Sequence, residues 1–204
     1  CKLLDLNTKD YAGSCPFTDA PAWAEPYVAA CYANKIVSGT SATTYGGDQT
    51  VTTAQAALMV LKALGYFQYA ADFGDSWQLA TVKQASKIDL FDGLTSNANA
   101  ALTRNDVAQM ALNALYAQTV HYEGGSKVTV GGVEIITDST LVKETYTESG
   151  VVHPETLAHT YFPGLTKKTT SVTTDKFGRE GAIEYTYQAP GAKKAETIYK
   201  AFVG

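Results

Sequence analysis

The chain has 204 residues, enough for one large domain or two small ones around a real hydrophobic core. Hydrophobic residues make up 45% and charged residues 18%, which marks a globular chain and excludes a disordered one. The net charge of −4 argues against nucleic acid as a partner, because phosphate binding needs a basic face; no apolar run approaches the roughly 18 residues of a membrane span.

No stretch has the pattern of a signal peptide. Cys1, Cys15 and Cys31 are the cysteines, and an odd count with no C-x-x-C pair argues against a structural zinc site. Two readings stay open: one disulfide among the three, or Cys31 as a small buried hydrophobe on a helical face.

Residues 1–16 read as a lead-in segment. Cys15-Pro16-Phe17-Thr18-Asp19-Ala20-Pro21-Ala22-Trp23 is turn-rich, and from Trp23 the pattern becomes helical, with Trp23, Tyr27, Val28, Cys31 and Tyr32 recurring at three and four. Pro26 fits only the first turn, which places this helix from near Ala22 to near Asn34. Ile36-Val37-Ser38-Gly39 and a polar loop containing Tyr45-Gly46-Gly47-Asp48 follow. Thr52 opens a second helix, and Gln55 completes a T-x-x-Q capping box. Its inner face is predicted to be Ala54, Ala57, Leu58, Leu61 and Leu64, with Gly65 as the residue that ends it.

The pattern then repeats. Phe73-Gly74-Asp75-Ser76-Trp77 echoes Phe17, Asp19 and Trp23. Trp23 to Gly39 is sixteen positions, as is Trp77 to Gly93; Thr52 to Leu64 is twelve, as is Thr103 to Leu115. Each unit is a helix pair that cannot bury its apolar face alone. In the second unit Thr103 is the expected N-cap, with Asp106 at the position where a capping side chain reaches back. Val107, Met110, Ala111, Ala114 and Leu115 are predicted to face inward, and Arg104 to point away from them.

After about Thr119 the character changes. Lys127–Val130 and Val133–Ile136 read as a hairpin around Gly131-Gly132. Leu141 to Thr147, Thr169 to Thr174, Ala182 to Gln188 and Thr197 to Val203 read as further strands, the middle pair joined at Asp175-Lys176-Phe177-Gly178. Tyr185, Tyr187 and Tyr199 suit a half-buried sheet.

The paired units resemble the S-layer homology (SLH) repeat, as found in surface proteins of Gram-positive Firmicutes. The residues that carry the resemblance are Phe17, Asp19, Trp23, Ile36, Val37, Gly39 and Thr52 in the first unit. In the second they are Phe73, Asp75, Trp77, Leu90, Phe91, Gly93, Thr103 and Arg104. The resemblance implies an α+β protein: SLH-like repeats built as helix–loop–helix pairs at 17–66 and 67–119, followed by a small, mainly antiparallel β-rich domain at 120–204. In the family three such repeats pack as a three-pronged bundle whose grooves bind secondary cell-wall polymer, often at an acidic, pyruvylated sugar. The basic residue of the family's T-R-A-E helix start is the expected partner of that acid, since a guanidinium meets a carboxylate as a planar fork.

Two departures stand out. Thr53 occupies the position where the first unit should carry Arg, so only Arg104 keeps the basic residue, and no third unit follows in this sequence. The polysaccharide-binding residues that the resemblance implies are Arg104, Trp77, Asp75, Gly93, Trp23, Asp19 and Gly39. Each has a plainer reading: Arg104 as a solvated charge, Trp23 and Trp77 as core anchors, Asp19 and Asp75 as turn formers. His153 and His159 are six apart with Pro154 between, which does not match a metal-binding helix, and no phosphate loop or acid–base pair stands out.

The expectation is therefore a non-catalytic, extracellular, cell-wall or cell-surface protein. Its partner is secondary cell-wall polymer; no cofactor, metal, nucleic acid or membrane span is expected. Self-association through the repeats is a further implication of the incomplete set. A structural or host-interacting surface protein, with degenerate repeats as scaffold, is the alternative. An enzyme with its catalytic domain in 120–204 is a third.

Overall fold

The computed structural model describes residues 1–130, 133–169 and 181–202. It is an α+β fold, with helices towards the N-terminus and antiparallel strands towards the C-terminus. By internal contacts the chain falls into two compact units, Cys1–Leu157 and Ala158–Gly204. The change in composition near residue 119 lies well before that boundary, because the first strand is built into the helical core.

Helix α1 spans Glu25–Ala33, preceded by a turn, with Pro26 in its first turn where the missing N–H costs nothing. Helix α2 spans Thr53–Ala63. The Thr52 hydroxyl accepts from the Gln55 amide while the Gln55 side chain accepts from the Thr52 amide, which is the expected reciprocal cap. Helix α3 spans Trp77–Lys87 behind a Ser76 cap, and α4 spans Arg104–Tyr116 behind Thr103.

The main core gathers Leu61, Met110 and Ala114 from these helices and Leu64 and Leu90 from the turns after α2 and α3, joined by Val120 and Leu157. A smaller cluster of Phe17, Ala24 and Val28 lies beside α1. Two helical faces differ from the sequence expectation. In α1 the buried residues are Val28, Ala29 and Ala30, whereas Tyr27 and Tyr32 are exposed. In α4 the buried stripe runs through Asp106, Met110 and Ala114, and Val107 is 51% exposed. The stripe is shifted by one residue because the Asp106 carboxylate, fully hydrogen-bonded, takes the inward position.

Strand β1 (Val120–Val130) pairs antiparallel with β2 (Val133–Lys143), Val130 opposite Val133. The expected turn at Gly131-Gly132 lies outside the described residues. The strand expected from Leu141 to Thr147 is broken at Glu144: β2 ends at Lys143 and β3 (Thr145–Glu148) begins a new hairpin with β4 (Val151–Pro154). Helix α5 (Leu157–Tyr161) follows; neither β4 nor α5 is visible in the sequence pattern. The second compact unit holds a sheet of order β5 (Leu165–Thr169), β6 (Gly181–Tyr187) and β7 (Glu196–Phe202), with Tyr185 buried. The expected turn at 175–178 lies outside the described residues.

Gly65 joins the helices to β1. It follows α2 at φ +99°, its successor Tyr66 donates to Leu61 O at 2.9 Å, and Val120 N donates to Leu64 O at 3.0 Å. A Cβ on Gly65 would stand 1.8 Å from Val120 O. Gly65→Ala should therefore cost roughly 2–5 kcal/mol, from left-handed strain and the steric push on β1. Urea unfolding would show this as a lowered midpoint with an unchanged slope.

Candidate functional site

The loop after α1 is held in place by hydrogen bonds and ring packing from its own residues and from the segment before the helix. Thr18 N donates to Thr43 O at 3.0 Å, and Thr40 N to Thr44 O at 2.8 Å. The Asp19 carboxylate accepts from the amides of Tyr45 at 2.6 Å and Gly46 at 2.8 Å. Those two hydrogen bonds hold its pKa below the usual carboxylate value. Phe17 packs edge-on against Tyr32, ring centroids 5.2 Å apart, and at 5.7 Å from Tyr45. Gly39 has φ +71°, and a Cβ there would lie 2.4 Å from the Phe17 ring, so this position admits only glycine.

The loop so fixed forms one wall of a groove of about 460 Å³. Gly39, Tyr45 and Gly46 lie along that wall, Gln55, Met59 and Lys62 of α2 line the floor, and Trp77 at the start of α3 closes the far side. Trp77 is 42% exposed, so part of its indole is free. Lys62 is half-buried, burial pulls its pKa down, and no carboxylate pairs with it among the described residues. Burial likewise pushes the Tyr45 phenol up. The site offers an aromatic face, one cation and several amide and hydroxyl groups, a set that suits a sugar carrying negative charge.

Of the residues singled out in the sequence, Trp77 and Gly39 line this groove and Asp19 holds its loop wall. The others lie elsewhere. Trp23 is 78% exposed in the turn before α1, which removes its reading as a core anchor. Asp75 is exposed in the turn before α3. Gly93, at φ +74°, packs beside the Gln109 side chain, and Asn113 of the same helix donates to Leu90 O and Asp92 O. Arg104 is exposed at the first position of α4. Lys62 and Met59 carry no sequence expectation, and Gln55 only that of a cap. Their spacing of four and three along α2 places them on one face beside the core stripe, and that spacing was the available signal.

Asp106 departs from the simple capping role. Its Oδ1 accepts from Thr95 N at 2.9 Å and Thr95 Oγ1 at 3.1 Å; Oδ2 accepts from Thr103 Oγ1 at 2.8 Å and from Ser96 Oγ. It does not reach back to the Thr103 amide. It ties the loop ahead of α4 to that helix while 2% exposed.

Residues 16–57 match the family model of the S-layer homology domain. The matched SLH segment begins just before Phe17 and ends within α2, so it contains the whole loop wall of the groove. An endoglucanase of Bacillus sp. (strain KSM-635) is 30% identical over 122 residues, which take in 55% of this chain and 13% of that protein. The chain thus spans a small part of that relative's length. No solved structure matches. SLH domains bind cell-wall polymers, and the SLH segment supports a cell-surface, wall-anchoring role for this chain. No helix among the described residues is long and apolar enough to cross a membrane.

Asp106 makes a pH prediction. Hydrogen bonds from Ser96, Thr95 and Thr103 hold its pKa far below the ordinary carboxylate value. A group whose pKa is depressed by folding stabilises the fold above its unfolded pKa, near about 4, and that contribution is lost as pH falls through and below that value. The melting temperature should drop between about pH 5 and pH 3. Asp106→Asn should start lower at neutral pH and show a visibly shallower acid drop, read by thermal melts across that range.

Proposed function

We propose that this chain is a non-catalytic attachment module that holds a surface protein to acidic secondary cell-wall polymer. The observation that carries the proposal is the groove: an SLH-matched loop faces a partly exposed indole and a half-buried lysine that has no carboxylate partner among the described residues. An indole face stacks on a sugar ring, and a carboxylate on that sugar, such as a pyruvyl ketal, would pair with Lys62. Pairing would restore the charge that burial disfavours. Arg104, open to solvent at the start of α4, serves as a second point of contact on the same extended polymer.

The second repeat at 67–119 belongs to this reading. The relative's 122 aligned residues extend well past the length of the family match at residues 16–57, which favours likeness beyond the first unit. A shared stretch amounting to 13% of an enzyme's length also fits an attachment module better than a catalytic domain. Further prongs would come from the rest of the protein or from a second chain, which is the route to self-association.

Retention on purified cell walls, with and without the secondary polymer extracted, tests the proposal. Retention should depend on the polymer. Lys62→Ala and Trp77→Ala should each weaken it by about tenfold, the worth of one charge-assisted hydrogen bond or stacked face. Arg104→Ala should weaken it less and leave the melting temperature nearly unchanged. Equal retention on extracted walls would overturn attachment and favour the scaffold reading.

A further inference from the structure

The three cysteines are unlinked, yet two of them are neighbours. Cys1 Sγ lies 3.5 Å from Cys31 Sγ, although they are 30 residues apart in sequence. Both are half-buried, so each is reachable by a small molecule. Cys15 packs against the Phe17, Ala24 and Val28 cluster and touches neither sulfur.

The approach of Cys1 to Cys31 is held from several sides. The amides of Leu4 and Leu6 both donate to Cys1 O at 3.1 Å, which fixes its backbone in a short 3-10 turn. Leu3 and Leu4 of that turn pack on the main core. The Cys1 thiol also reaches Tyr27 O at 3.4 Å, one helical turn ahead of Cys31. Further along, Gly13 N donates to Glu25 Oε1 at 3.1 Å and Asn34 Nδ2 to the Tyr11 hydroxyl at 3.3 Å, so the lead-in lies against α1 over much of its length.

We infer that Cys1 and Cys31 are a disulfide-forming pair, and that Cys15 stays outside it. The reaction is thiol–disulfide exchange with a low-molecular-weight disulfide. One protein thiolate attacks a sulfur of the small disulfide and expels a thiolate, which leaves a mixed disulfide. The second protein thiolate then attacks the protein sulfur of that bond and expels the second small thiolate. Two protein S–H bonds become one S–S bond, and the oxidant is reduced to two thiols. A cell surface is a setting in which such a bond persists. The bond would join a lead-in anchored on the main core to a helix that carries the separate Phe17 cluster. This cross-link is independent of wall binding and stands or falls apart from it.

The test uses the full chain and its Cys15→Ser variant, each treated with excess cystine or with dithiothreitol. After cystine and denaturation, the variant should titrate no thiol and carry no added half-cystine by mass, and any half-cystine on the wild-type protein should map to Cys15; after dithiothreitol the counts should be three thiols for the wild type and two for the variant. Peptide mapping should link the segment carrying Cys1 to that carrying Cys31. The oxidised variant should melt a few degrees above its reduced form, roughly 2–4 °C per kcal/mol for a chain of this size. Cys15→Ser combined with Cys31→Ser should lose that dependence on redox state. The proposal is overturned if two thiols persist in the cystine-treated variant, if half-cystine stays attached to either sulfur, if the wild-type linkage includes Cys15, or if the oxidised variant melts no higher than the reduced one.

Discussion

The first amides of an α-helix have no partner within the helix, and at the start of α2 the second unit provides them. Thr53 N donates to Ala100 O at 3.0 Å and Ala54 N to Ala98 O at 2.9 Å, after which Thr52 serves the Gln55 amide. In return Leu102 N donates to Val51 O at 3.0 Å. The loop that presents these carbonyls is itself fixed. Asn97 Oδ1 accepts from the amides of Asn99 and Ala100, and Asp106 grips Thr95 and Ser96. One segment, residues 95–102, is thereby clamped between α2 and α4. The start of α2 and the loop ahead of α4 both depend on it.

That contact explains the difference between the two helix starts. Thr53 and Arg104 occupy equivalent first positions. Thr53 is 1% exposed beneath the incoming loop, with its hydroxyl 3.4 Å from Ala100 O, whereas Arg104 is in solvent. An arginine at position 53 would have to bury a guanidinium with no anion beside it, at a cost of several kcal/mol. A threonine there is what the packing of the second unit demands. The amides of Arg104 and Asn105 find no protein partner among the described residues, so α4 presents an open start where α2 presents a covered one. The threonine at position 53 thus follows from the loop that covers the start of α2.

Much of the helical fold was legible because its signals are local. The Thr52–Gln55 cap, the glycine stop at Gly65 and the Thr103 cap each depend on residues within a few positions of one another, and each stands where the spacing put it. The errors come from tertiary context. Tyr27 and Tyr32 fall on an apolar stripe, but α1 buries its small residues and leaves the tyrosines outward. Val107 yields the inward position to a carboxylate whose four donors lie partly in a loop ten residues earlier, which no helical periodicity encodes. β4 is too short to show an alternating pattern. The groove was the least legible feature, since Trp77 reaches it from the next unit and Lys62 reads as an ordinary helix-surface lysine until the wall beside it is known.

The groove inherits its geometry from α2. At one end that helix is capped by the second unit's loop; at the other, Gly65 and Val120 close it. With both ends fixed, its rotation is fixed too: Ala57 and Leu61 turn into the core, and Gln55, Met59 and Lys62 necessarily face the loop wall. Asp19 and Gly39 then act on any ligand through the wall, one by holding the Tyr45 and Gly46 amides and the other by letting the chain pass close to Phe17. The SLH-like residues thus divide by role. Asp19 and Gly39 build and orient the wall, while Trp77 lines the groove itself. Lys62, half-buried and without a carboxylate partner among the described residues, sits where the built surface opens.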